Sequence, residues 1–105
     1  MLMKLFKNLF KKKNSLALNK KAYSGSDGSS LENAVIINCD KSLFGISFEY
    51  SYIEYLYGKQ NEDWTVKLQS LIHNNEKSYD KIEVELKNGS NKIIFFDNTQ
   101  FFGKF

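Results

Sequence analysis

Several residue types that particular functions depend on are missing or nearly missing from this 105-residue chain. All fifteen basic residues are lysine, so the chain lacks arginine, the side chain suited to bidentate recognition of guanine edges and phosphates. This absence weighs against sequence-specific DNA reading but leaves nonspecific phosphate contact open. The single cysteine, Cys39, excludes an intramolecular disulfide and fits a reducing compartment.

Long apolar runs are also missing. No stretch approaches the ~20 apolar residues that a membrane-spanning helix requires. Lys4, Lys7 and Lys11 interrupt the apolar residues near the N-terminus, which argues against a secretory signal. The sequence therefore predicts a cytoplasmic protein, with peripheral contact to a membrane as an open option.

Charge divides the chain into two unlike parts. Residues 1–23 hold seven lysines and no acid, whereas residues 24–105 hold eight lysines against twelve Asp and Glu, a net charge of −4. Between them, residues 24–30 are rich in glycine and serine, which is typical of a flexible linker. We therefore predict a basic arm (1–23), a Gly/Ser linker (24–30) and one domain (31–105), since the length allows a single modest core.

The arm has the pattern of an amphipathic helix over residues 2–13. One face carries Leu2, Leu5, Phe6, Leu9 and Phe10, and the remaining positions carry Lys4, Lys7, Lys11, Lys12 and Lys13. Twelve residues alone are marginal as a helix in water, so this segment needs a surface to lie on. The candidate surfaces are an anionic membrane, a protein partner, or the body of the chain itself.

The body shows clear strand patterns. Residues 34–39 are a short β-rich run, and three further strands between residues 64 and 97 form a predicted meander. In the first of these, Trp64, Val66, Leu68, Ser70 and Ile72 share one face by strict alternation. Asn88-Gly89 is a strong hairpin signal between the last two strands. The C-terminal segment Phe101-Phe102-Gly103-Lys104-Phe105 is expected to pack under the sheet as a hydrophobic plug after a short turn, with a binding tail as the alternative.

The stretch 43–57 is ambiguous from its residues alone. Its alternating aromatics suit a strand. A helical stripe also runs through it, with Ser42 as a candidate N-cap, Gly58 as a helix-ending glycine, and the apolar residues Leu43, Ile46, Tyr50, Ile53 and Tyr57. The residues alone therefore leave both a strand and a helix possible for residues 43–57.

A resemblance favours the helix. The shared positions are Glu49-Tyr50, Tyr52-Ile53, Gly58, Asp63-Trp64, Gln69-Ser70-Leu71, Tyr79-Asp80, Asn88-Gly89, Phe96-Asp97 and Phe101-Phe102-Gly103-Lys104. On these positions, residues 25–104 resemble a group of small uncharacterised bacterial proteins in which the segment before the glycine is helical. The resemblance excludes the arm and implies no activity.

The predicted fold is therefore α+β. It is a small, mostly antiparallel sheet in β-α-β-β-β order with one packed helix, preceded by the basic amphipathic N-terminal helix. With the helical stripe facing the sheet, a second group of aromatics lies on the other side: Phe44, Phe48, Tyr52 and Tyr55. Either this aromatic face is covered, or it is an exposed patch of the kind that marks interaction sites.

No residues in the sequence form a catalytic, cofactor-binding or metal-binding constellation. His73 is the only histidine and is expected at an exposed turn, and Cys39 is expected to be a small buried side chain. The leading hypothesis is a small non-enzymatic accessory protein that binds a protein partner or a membrane surface through its arm and aromatic face. Self-association fits the same face. The alternatives are nonspecific nucleic-acid binding through the lysines and, less favoured, an enzyme.

Overall fold

The computed structural model describes residues 18–104. The predicted arm helix over residues 2–13 lies outside these residues. After a single 3₁₀ turn at Lys20–Ala22, the chain forms five strands and one long helix, in the order β1 Tyr23–Gly25, β2 Val35–Ile37, α1 Ser42–Tyr57, β3 Trp64–Asn74, β4 Lys77–Leu86 and β5 Asn91–Asp97. The predicted α+β class, with one helix and a β3-β4-β5 meander, is confirmed.

The strand order differs from the prediction. The five strands form one sheet in the order β1-β2-β5-β4-β3. β2 pairs with β5 in parallel, and every other neighbouring pair is antiparallel. The helix carries the chain from β2 across to the far edge of the sheet, so the meander returns inward and leaves β5 beside β2. The first strand was missed because serine and glycine are weak strand formers.

Residues 24–30 were predicted to be a flexible linker, but Ser24 and Gly25 belong to the edge strand β1, and Gly28 is hydrogen-bonded to the backbone of two other segments. Gly25 pairs with Val35. Gly28 donates its N–H to the Asn33 carbonyl (2.6 Å) and accepts the Phe95 N–H (2.8 Å). Its φ is +83°, and a Cβ there would lie 2.7 Å from Ile94 Cγ2. Gly28 is therefore required for its backbone conformation and close packing, rather than for chain flexibility.

The helix prediction for residues 43–57 is confirmed, but its start differs in detail. Lys41 takes the N-cap position, and Ser42 is the first helical residue. Ser42 instead donates its backbone N–H to the Lys104 carbonyl (2.7 Å) and its hydroxyl to the Phe101 carbonyl (3.0 Å). The C-terminal turn thus supplies hydrogen-bond acceptors to the start of α1.

The face of α1 that packs on the sheet is also different from the predicted one. The buried residues are Gly45, Glu49 and Ile53, four positions apart. Leu43 and Ile46, predicted to face the sheet, are 77% and 46% exposed. Compared with the predicted orientation, α1 is rotated about its axis. Gly45 leaves room for the Phe101 ring, and the carboxyl group of Glu49 is buried beside Asp80.

The hydrophobic core lies between α1 and one face of the sheet. Its buried members are Val35, Ile37, Ile53, Trp64, Ile82, Val84, Ile94, Phe96 and Phe101. The expected C-terminal plug is confirmed for Phe101, which is buried, but not for Phe102, which is 45% exposed; Phe105 lies outside the described residues. The sheet and the C-terminal turn thus enclose one side of the helix.

A β-bulge changes the predicted alternation in β3. Val66 lies opposite Val84, but the next paired residue is Leu68, opposite Glu83, so Lys67 is the extra residue. Beyond the bulge, Leu68 and Ile72 lie on the face away from α1. Gln69 and Leu71 lie on the helix side, where Gln69 accepts a hydrogen bond from the Tyr50 hydroxyl (3.1 Å). The prediction that Trp64, Val66, Leu68, Ser70 and Ile72 share a face is wrong for the residues beyond the bulge, Leu68, Ser70 and Ile72.

Candidate functional site

The structure divides the predicted aromatic face of α1. Phe48 and Tyr52 are half-buried and pack on Tyr23 of β1, with ring centroids 6.0 and 5.5 Å away. The Tyr23 hydroxyl donates to the Phe48 carbonyl at 2.6 Å. Burial, followed by proximity to Tyr52, raises the pKa of Tyr23 well above its usual range. Phe48 and Tyr52 therefore hold the helix to the sheet edge, and Phe44 and Tyr55 stay exposed.

A second exposed group, absent from the sequence predictions, lies at the start of α1. It consists of Leu43 and Ile46 from the helix, Leu71 from β3 and Phe102 from the C-terminal turn, with exposed fractions between 45% and 77%. We call these four residues the end patch. Phe102 stacks edge-on against His73 at 5.3 Å, and the backbone of the same turn is bonded to Ser42. Three separate segments thus bring their apolar side chains to one end of the molecule.

The end patch lies on the β3 side of the helix. Leu43, Ile46 and Tyr50 follow one another at helical spacing, and Tyr50 packs on Trp64 at the start of β3 (ring centroids 6.2 Å apart). Leu71 lies further along β3, directly opposite Asp80 and therefore on the helix side of the sheet. Exposed apolar groups of this kind, bordered by polar residues, are typical of interaction surfaces.

Under the helix lies a buried carboxyl pair, Glu49 of α1 and Asp80 of β4. Glu49 is fully buried, and Asp80 is 6% exposed. The Asn98 amide donates to Asp80 Oδ2 at 2.8 Å. Within residues 18–104, no donor group reaches either oxygen of Glu49. Burial, then the hydrogen bond with Asp80 and the charge on Asp80, raises the pKa of Glu49 to about 11.

Two further buried oxygens border the carboxyl pair. Ser78 Oγ and Asn98 Oδ1 find no partner in the part of the chain that the structure describes. Ser78 precedes Asp80 by two residues on the same face of β4, and its carbonyl accepts the Asn98 N–H at 3.0 Å. We call Glu49, Ser78, Asp80 and Asn98 the buried polar cluster. Because it is enclosed, it can store a proton or hold the helix in place, but it is not open to a substrate.

Sequence reasoning missed the buried polar cluster, although a signal was present. Ile82 and Val84 point inward, and extending their period of two backward places Asp80 and Ser78 on the same buried face. Glu49 gave no apolar signal: it lies one helical turn before Ile53, but glutamate is almost never fully buried, so no hydrophobic pattern includes it. Only Gly45, one helical turn before Glu49, indicates that another part of the protein packs closely against this side of α1.

His73 and Cys39 are not brought together. Cys39 follows β2 and His73 lies near the end of β3, with β5 and β4 between their strands, a separation of about 14 Å across the sheet. His73 is exposed, as expected, and Cys39 is half-buried, with its thiol 3.5 Å from the Lys41 carbonyl. Within the described range, no three residues among His, Cys, Asp and Glu are grouped as metal ligands.

Comparison with known proteins adds no relative. No family model, no curated protein sequence and no solved structure matches the chain. The resemblance to small bacterial proteins accordingly stays a prediction. In residues 18–104, no helix has the length and apolar character needed to cross a membrane.

Proposed function

We propose that this chain is a small non-enzymatic accessory protein that binds a protein partner through exposed apolar side chains of α1 and the elements around it. The end patch carries this proposal. Leu43 and Ile46 stand exposed on the β3 flank of a helix whose sheet-facing side is packed through Gly45, Glu49 and Ile53, so their backbone positions are fixed. A preorganised apolar surface loses little conformational entropy when it binds.

Phe44 and Tyr55 extend the exposed apolar surface on the other flank of the helix, at 59% and 40% exposure. Aromatic side chains bury a large area for few rotatable bonds, which makes them common at protein interfaces. Between the two flanks lie Ser47 and Glu54, which are exposed and polar. A partner that covers both flanks would therefore also need hydrogen-bonding groups along the middle of the helix.

The test is affinity capture of the full-length chain from its native cell lysate, with a matched pair of variants. The double variant Leu43→Ser/Ile46→Ser removes two exposed side chains of the end patch, and Ser47→Ala/Glu54→Gln changes the polar middle of the same helix. We expect a partner that is retained by the control variant and lost by the end-patch variant. Equal capture by both variants would contradict a role for the end patch.

Self-association is a distinct outcome of the same proposal and is measured by analytical ultracentrifugation. A dimer that dissociates in Leu43→Ser/Ile46→Ser but persists in Ser47→Ala/Glu54→Gln would identify a second copy of this chain as the partner. A dimer unaffected by either variant would place the contact elsewhere on the molecule.

Membrane contact is the second candidate, and the arm's alternation of lysines with leucine and phenylalanine favours it. The full chain should bind anionic vesicles at low salt, and Lys4→Gln/Lys7→Gln/Lys11→Gln should weaken that binding severalfold. Substitution is a better test than truncation at residue 24, because Ala22 is buried and Tyr23 packs on the helix. Unchanged binding by the triple variant would contradict this candidate.

A further inference from the structure

We infer that Glu49 and Asp80 share a single proton at neutral pH and form a pH-sensitive contact that holds α1 on the sheet. Its basis is geometric. Glu49 on the buried side of α1 and Asp80 on the helix-facing side of β4 are both enclosed, and neither Glu49 oxygen receives a bond from a donor within residues 18–104. Two bare carboxylates in such a place would repel each other and would each lose their hydration.

The proton is assigned to Glu49, because its environment and that of Asp80 differ. Asp80 already accepts a hydrogen bond from the Asn98 amide. Glu49 has no such donor in the described part of the chain and is the more deeply buried of the two. The protonated Glu49 carboxyl can then donate to Asp80, which turns a repulsive contact into a charge-assisted hydrogen bond.

Among residues 18–104, no neighbouring positive charge takes the place of this proton. Lys77 lies on the opposite face of the sheet, where it is 3.8 Å from Asp97. From β3, His73 lies on the helix side but is exposed and stacks on Phe102. Tyr50, next to Glu49 on the helix, directs its hydroxyl to Gln69. Lys41 and Lys104, at the start of α1, are exposed.

The contact makes folding depend on pH in a definite direction. The folded-state pKa of Glu49 is raised to about 11 from the ordinary 4.5. The stabilisation by its proton is therefore fully present below pH 4.5, falls as the pH rises above that value, and is gone once the pH passes about 11. Within this window the folding equilibrium constant decreases by up to tenfold for each pH unit, about 1.4 kcal/mol.

The test is urea unfolding of the full-length protein between pH 5 and pH 9, in wild type, Glu49→Gln and Glu54→Gln. Glutamine keeps a donor at position 49 but cannot lose it. Glu49→Gln should therefore be nearly as stable as wild type at pH 5, more stable at pH 8, and less dependent on pH. Glu54→Gln changes an exposed carboxylate of the same helix and should follow the wild-type profile.

A second measurement on the wild type keeps the inference testable if Glu49→Gln does not fold. The ¹³C chemical shift of the Glu49 side-chain carboxyl should remain at the protonated value from pH 5 to pH 8. A carboxylate shift at pH 7, or identical pH profiles for wild type and a folded Glu49→Gln, would overturn the inference.

A bound cation is the rival explanation, since Ser78 Oγ and Asn98 Oδ1 add two unpartnered oxygens to the pair. Unfolding at pH 8 with EDTA, Ca²⁺ or Mg²⁺ separates the two explanations. No change in the midpoint supports proton sharing. A metal-dependent rise in wild type that disappears in Glu49→Gln would overturn it.

Discussion

The ring of Phe101 occupies the space beside Gly45 that any larger side chain at that position would need. A Cβ added to Gly45 would overlap the ring, which is 3% exposed and fixed in the core. Gly45 also lies in the first turns of α1, where its backbone is helical. The contact explains why a glycine is present in the interior of a helix, where it is otherwise unfavourable.

Gly45→Ala should therefore destabilise the protein. Helix propensity alone favours alanine over glycine by about 1 kcal/mol. Overpacking against a buried ring costs about 1–3 kcal/mol, and we expect this cost to exceed the gain. Urea unfolding gives the result, with Ser47→Ala on the exposed side of the same helix as control. If Gly45→Ala raised the unfolding free energy as much as Ser47→Ala, the helix would not pack closely against Phe101 at Gly45.

Gly58 at the end of α1 and Gly89 in the turn between β4 and β5 allow a similar comparison. Gly58 has a φ of +108°, and a Cβ there would overlap the Asp63 carboxylate, which accepts the Lys59 N–H at 2.8 Å. Gly89 has a φ of +92° with open space around it. Gly89→Ala should cost about 1–2 kcal/mol from backbone strain alone. Gly58→Ala should cost more, and equal unfolding free energies for the two variants would contradict the Asp63 contact.

The β-bulge predicts opposite sensitivities for two apolar residues in β3. Val66 packs against the core, whereas Leu68 lies on the far face and is 56% exposed. Val66→Thr places a hydroxyl at the core boundary and should cost about 1 kcal/mol or more. Leu68→Thr should change the unfolding free energy by less than about 0.5 kcal/mol. A larger loss for Leu68→Thr would mean that the strand alternates without a bulge.

The sequence could predict the elements whose local pattern and tertiary environment agree. Ile82 and Val84 alternate with charged residues, and Asn88-Gly89 marks the turn to β5, so the meander was evident. By contrast, β1 exists only because β2 offers an edge, which no pattern in Ser24 and Gly25 reveals. Local propensity describes a residue's own preference, whereas pairing depends on what lies beside it.

The rotation of α1 shows the same limit for the candidate site. An apolar stripe was expected to face the sheet, but the buried line runs through Gly45 and Glu49. Neither residue is recognised as buried by a hydrophobic pattern, because one has no side chain and the other is ionisable in water. The exposed residues Leu43 and Ile46 were consequently placed in the core, and the end patch was not foreseen.

The end patch is predicted to be free in the isolated protein and available to a partner. Carbene footprinting of the full-length chain, read by mass spectrometry, measures this most directly. We predict strong labelling of Leu43 and Ile46, weak labelling of Ile53 and Phe101, and a loss of labelling at the first pair when a captured partner is added. Weak labelling of Leu43 and Ile46 in the isolated protein would contradict the account.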